Sequence, residues 1–206
     1  MTFIKKNFYT LLIIPYVVGA IGISIPSIRS FFLSLSPIML LFSFSLIVFE
    51  ESKWLKKNIP ALIVAALGGF IVEYIGVNYS LLFGEYKYGT ALGYKLFNVP
   101  LIISINWLML SIASRSLANM VTNNKWLLSL IAAFLMTSYD VLLEPIAIKF
   151  DWWIWSGGEV PIFNYVCWFA FSFLFQLVFR ITPKVTGRSY MVLLVQVCFY
   201  FILLLI

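Results

Sequence analysis

The chain contains no histidine. That removes Ser-His-Asp and Cys-His nucleophilic chemistry, and histidine-held metal or haem, before any motif is sought. Cysteine is nearly absent too. Cys167 and Cys198 both stand inside apolar runs, where a free thiol acts as a small hydrophobe. Charge is scarce: Asp, Glu, Lys and Arg make up 11% of 206 residues, against about a quarter in an ordinary soluble domain. The net charge of +6 is spread through short loops with no basic run, so no nucleic-acid partner is expected. There is no linker or low-complexity segment, and one domain over 1–206 is expected.

What fills the space is apolar. Apolar residues reach 63%, aromatic residues 18%, and the mean hydropathy is +1.02. The apolar runs are continuous and do not alternate, which argues against a membrane β-barrel and for an all-α, polytopic bundle in contact with membrane lipid. Seven spans are expected: Phe8–Ile25, Phe31–Phe49, Ile59–Val77, Asn98–Ala118, Trp126–Ile148, Pro161–Ile181, and Tyr190 to the last residue. Each approaches the roughly 20 residues that cross a hydrocarbon core. Lys5-Lys6 precede the first run, which reads as a retained helix. With the N-terminus inside, the inner segments carry Lys5, Lys6, Lys53, Lys56, Lys57, Arg115, Lys125, Arg180, Lys184 and Arg188. The outer ones carry Arg29, Lys87, Lys95 and Lys149. Ten against four predicts an N-in, C-out topology. Arg115 and Arg180 are expected to snorkel at helix ends.

Three acids stand inside these runs: Glu73, Asp140 and Glu144. A charge in lipid is costly, so such residues default to functional candidates. Asp140 and Glu144 are four apart and share a helix face. All three fall late in helices running outward, which places a site in the outer half of the membrane. Glu50-Glu51 read instead as a solvated, lysine-rich connection, and Glu85, Asp151 and Glu159 as loop residues. Ala65, Gly69, Glu73 and Gly76 share one face, where small residues let helices approach.

The third-plus-fourth and fifth-plus-sixth helices resemble copies. Each pair has acid late in its first helix, an aromatic outer loop (Tyr86-Lys87-Tyr88 or Trp152-Trp153-Ile154-Trp155), and re-entry at Val99-Pro100 or Val160-Pro161. A tryptophan follows seven residues after each proline, Trp107 or Trp168. Both pairs run the same way, so the repeat would be parallel. Proline suits a first helical turn, and Asn98 reads as a helix cap.

The remaining toolkit is acids, tyrosines, tryptophans and asparagines. Two acids in a dry site cannot easily both be charged, so one stays protonated and can donate. Aromatic faces can steady a cation. Together these suit protonation of an isolated alkene, followed by capture of the carbocation by water or by a second double bond. A hard cation held by the three acids ranks low, and no metal is expected. The structural alternatives are a broken helix before Pro145, a pair with Lys149, and an interfacial tryptophan belt.

At these residues the sequence resembles the carotenoid 1,2-hydratases of the bisanhydrobacterioruberin hydratase type. The resemblance lies in Glu73-x-x-Gly76, Phe83-Gly84-x-Tyr86-x-Tyr88, Leu92-Gly93, Val99-Pro100 and Trp107. It resumes at Asp140, Glu144-Pro145, Trp153-x-Trp155, Val160-Pro161, Asn164-Tyr165 and Trp168. It departs from that pattern at Glu144, where aspartate is more usual, and at Ser156–Glu159. It implies addition of water to the terminal double bond of an acyclic carotenoid, without a cofactor, in a bacterial inner membrane. Other enzymes of carotenoid formation would be partners. Asp140 would be the general acid, with Glu73 as acid or as the base that activates water, and Glu144 would hold the shared proton or set the site's charge. Asn164 and Tyr165 would position water, and Tyr86, Tyr88, Trp107, Trp153, Trp155 and Trp168 would line the polyene's end. The alternatives are a lycopene-type cyclase or isomerase, a small transporter, and a carotenoid-binding protein.

Overall fold

A computed structural model describes residues 2–179 and 187–206. Arg180 and Lys184, two of the inner basic residues, and the expected end of the sixth span at Ile181 lie outside the described residues. The helices are α1 (Thr2–Lys6), α2 (Phe8–Ser24), α3 (Arg29–Ser34), α4 (Ser36–Lys57), α5 (Ile59–Tyr79), α6 (Ile102–Ala118), α7 (Lys125–Lys149), α8 (Ile162–Val178) and α9 (Tyr190–Leu205). Four short strands lie in the connections: β1 (Tyr86–Tyr88), β2 (Lys95–Leu96), β3 (Val99–Pro100) and β4 (Trp153–Trp155). Among the described residues the protein is all-helical apart from these two ribbons.

Among the described residues seven of the helices overlap the seven expected apolar runs, with different bounds. Two of them, α5 and α7, are long and apolar enough to cross a membrane by length and composition. The apolar helices α2, α6, α8 and α9 are shorter; a 17-residue helix is about 25 Å long against a core of about 30 Å. Large apolar side chains face outward on most of them, Ile14, Val18 and Ile21 on α2 for example. An outer surface of this kind is what lipid covers, and it is consistent with a membrane protein.

The local causes are readable. Asn124 caps α7, its Oδ1 accepting from the backbone N–H groups of Trp126 and Leu127. Pro60 sits in the first turn of α5, and Ser80 ends that helix in the left-handed conformation. The small face of α5 meets α6 closely: a Cβ on Gly69 would lie 2.4 Å from Cγ of Trp107.

Several expectations are corrected. The second span does not begin at Phe31, because Arg29–Ser34 forms the separate helix α3. Val99-Pro100 is a strand and not a first helical turn. It pairs with β2 across Phe97 and Asn98, both at positive φ (49° and 67°), a combination that suits a two-residue hairpin. Asn98 therefore caps no helix; it donates to Asn78 Oδ1 and pins the hairpin to the end of α5. Pro161 is the N-cap of α8. Glu50 and Glu51 belong to α4, not to a solvated loop: Glu51 is buried and accepts from Ser189, and Glu50 pairs with Arg188 at 3.1 Å. Arg115 does not snorkel. It is buried and donates to the carbonyls of Gln176 and Phe179, closing the end of α8.

Candidate active site

β1 pairs antiparallel with β4, with Tyr86 opposite Trp155 and Tyr88 opposite Trp153. Side chains alternate across a strand, so Lys87 and Ile154 face outward while Tyr86, Trp153 and Trp155 are buried and Tyr88 is partly buried. This aromatic ribbon covers the ends of α5 and α7, where the three acids lie. The ring centroids of Tyr86 and Trp155 are 5.0 Å apart.

All three acids are buried and line one cavity of about 30 Å³. That is about the share of liquid volume one water molecule takes. Glu73 on α5 accepts three hydrogen bonds: from the Tyr86 hydroxyl at 2.5 Å, the Tyr88 hydroxyl at 2.7 Å and Trp107 Nε1 at 3.0 Å. Glu144 on α7 also accepts three, from Trp153 Nε1 and Trp155 Nε1, both at 2.9 Å, and from Asn164 Nδ2 at 3.3 Å. Asp140, one turn earlier, accepts one, from Asn164 Nδ2 at 2.7 Å. Asn164 bridges the two α7 carboxyls from α8. Trp107 and Trp168 stack with centroids 4.0 Å apart and planes 7° from parallel.

The expected site residues are thus brought together, with one exception. Tyr165 is half-buried on α8 and stands outside the cavity lining. Asn106, Phe83, Ile103 and Leu143 also line the cavity and were missed. Asn106 had a signal, an amide inside an apolar run; Phe83 stood in the quoted motif without a role, and Ile103 and Leu143 look like any core residue. The tryptophans form no exposed belt: Trp152, Trp153 and Trp155 are all buried. Nor is α7 broken before Pro145, since it runs on to Lys149, whose ammonium donates to the Leu203 carbonyl. Glu85, Asp151 and Glu159 are exposed.

On the ribbon, outside the helices, the phenols of Tyr86 and Tyr88 are held well above the ordinary tyrosine value, first by burial and then by the Glu73 carboxylate. They remain donors. Among the described residues no group of three His, Cys, Asp or Glu side chains is placed to hold a metal ion.

Fold and site define a class first: an all-helical, lipid-suited protein with three buried carboxyl groups around a water-sized cavity. The family model for "Carotenoid biosynthesis protein" matches residues 34–206, and the chain belongs to that family. Its role therefore lies in carotenoid biosynthesis. No curated protein and no solved structure matches the chain.

Proposed function

We propose that this protein is a carotenoid hydratase that adds water across the terminal C1=C2 double bond of an acyclic carotenoid. The observation that carries the reading is the unequal dressing of three acids around a water-sized cavity. Glu73 and Glu144 each have three donors aimed at their oxygens, so both are held as acceptors. Asp140, with one donor and a carboxyl neighbour one turn away, is the group suited to carry a proton.

The reaction then balances without a cofactor. Asp140 gives its proton to C2 as the π bond breaks, leaving a tertiary cation at C1. Water in the cavity attacks C1, and Glu73 takes the proton released as the C–O bond forms. The product is a tertiary alcohol, and the proton returns to Asp140 through the cavity. The stacked indoles of Trp107 and Trp168, which line the cavity with the ribbon's aromatic rings, are the surface that would steady the cation. Asn164, hydrogen-bonded to both α7 carboxyls, keeps Asp140 aimed.

The two halves also read as a repeat. Glu73 and Asp140 each stand fourteen residues before the centre of their strand, Lys87 or Ile154. Trp107 and Trp168 each stand seven after their proline and stack on one another. Antiparallel pairing of equivalent strands is what a two-fold axis between the halves would produce. In this reading Glu144 is the acid the first half lacks, and it draws the strand donors away from Asp140.

The test is expression in cells that make an acyclic carotenoid. Hydration predicts a product heavier by one water for each end that reacts. A product of unchanged mass but altered connectivity would point to the cyclase reading. Unaltered carotenoid would leave transport or binding.

A further inference from the structure

The side chains expected to hold the attacking water are placed for other work. The Asn164 amide nitrogen is engaged with both α7 carboxyls, and Tyr165 stands outside the cavity lining. Glu73, as base, can take one of the water's hydrogens: a carboxylate has about four acceptor sites, and three are filled. The other hydrogen needs a second acceptor. A water held through one hydrogen alone can turn, and its lone pair then faces C1 only part of the time.

Asn106 meets that need. It lies on α6, beside Trp107 and one turn from Ile103, and all three line the acid cavity. It is 8% exposed and makes no side-chain hydrogen bond among the described residues. Neither polar atom of its amide is sealed from contact with a water molecule. Buried amides are nearly always paired, and this one adjoins a cavity of about one water's volume. Every other polar side chain in the lining makes at least one hydrogen bond, Trp168 excepted. Trp168 can only donate, so it cannot take a hydrogen from water. Asn164 keeps an unbonded oxygen, but its nitrogen ties it to Asp140.

We propose that Asn106 positions the attacking water, its amide oxygen accepting one hydrogen while Glu73 accepts the other. This rests on the proposed hydration. The water then keeps a lone pair for C1, and the tertiary cation is captured before it decays. The competing fate is loss of a proton. A C–H bond on a methyl group at C1 breaks, its electrons form a C1=CH2 double bond, and the proton returns to Asp140. That product is an isomer of the substrate. Asn106 therefore decides between alcohol and isomer, and the first proton transfer stays with Asp140.

The experiment is turnover of an acyclic carotenoid by the full-length protein in nanodiscs in deuterated water. Alcohol and isomer are separated, and deuterium at C2 is counted in each. The parent is expected to form alcohol. Asn106→Leu, close in size, should lower the alcohol-to-isomer ratio about tenfold while deuterium still reaches C2. It removes an unpaired amide from an apolar helix, so the melting temperature should hold or rise. Asn106→Val carries the same expectation if the longer side chain disturbs α6. Asn106→Ser restores an oxygen and leaves room for a second water, so it should recover most of the ratio. Asn164→Leu should instead lower deuterium uptake and alcohol together, because it releases Asp140. An unchanged ratio in Asn106→Leu, or loss of its deuterium uptake with the fold intact, would overturn the assignment. So would a changed ratio with full deuterium uptake in Asn164→Leu. A parent that forms no alcohol defeats the hydratase reading and this assignment with it. A parent that hydrates beside an indifferent Asn106→Leu defeats the assignment alone.

Discussion

Asp140 differs from its two companions in how few donors reach it, and that difference makes predictions about single atoms. Asp140→Asn keeps the shape and removes the acid; hydration should fall a hundredfold or more, with the melting temperature close to that of the parent. Glu73→Gln should behave otherwise. Trp107 Nε1 can only donate, and a glutamine amide offers one acceptor where the carboxylate offered two. Stability should drop by about 1–3 kcal/mol in addition to the loss of activity, as measured by thermal unfolding in detergent. The ribbon tyrosines give a pH signature. Their folded pKa values lie above the ordinary one, so their contribution is full below about pH 10 and is lost as pH rises further. The double variant Tyr86→Phe, Tyr88→Phe should flatten the alkaline fall in stability, and an unchanged alkaline slope would contradict the burial of these phenols. The acids themselves were legible in the sequence, because an acid in an apolar run stands out. The aromatic residues were found too, but as walls for a polyene. The structure uses the edges of several of them, N–H and O–H, to hold carboxyl groups. Which edge a ring presents depends on strand register, and no residue count reports that.

Among the elements, the ribbon and the close approach of α5 to α6 set the site. Gly69 lets Trp107 stand against α5, where its N–H reaches Glu73. Gly69→Ala would put a methyl group into the indole. It should cost about 1–3 kcal/mol and lower turnover without touching an acid, because Trp107 must shift. Gly89 is tighter still: a Cβ there would fall 1.9 Å from the Asp151 carbonyl. Gly89→Ala should open the ribbon and release both its tyrosines and its tryptophans from the carboxyls. The helices were readable from their apolar runs. The strands were not, since three residues give too short an alternation to notice and their partners lie far apart in the chain. The same blindness turned Val99-Pro100 into a helix start and hid the break between α3 and α4.

For the whole molecule, the bias of lysine and arginine toward the expected inner segments, ten against four, predicts which side the ribbon faces. With an inward N-terminus, the loop of Gly157 is outside. In a chain freed of Cys167 and Cys198, Gly157→Cys should react with a membrane-impermeant thiol reagent in intact cells. Labelling only after the membrane is broken would reverse the topology. Gly157 has open space around it, so the substitution leaves the fold alone.

The central claim is that buried carboxyl groups give a proton to a hydrocarbon and water supplies the oxygen. Membranes containing the protein, given an acyclic carotenoid in heavy-oxygen water, test it in one mass spectrum. The account predicts one heavy oxygen per hydrated end in the parent and almost none in Asp140→Asn. A parent product without heavy oxygen, or full incorporation by Asp140→Asn, would contradict it.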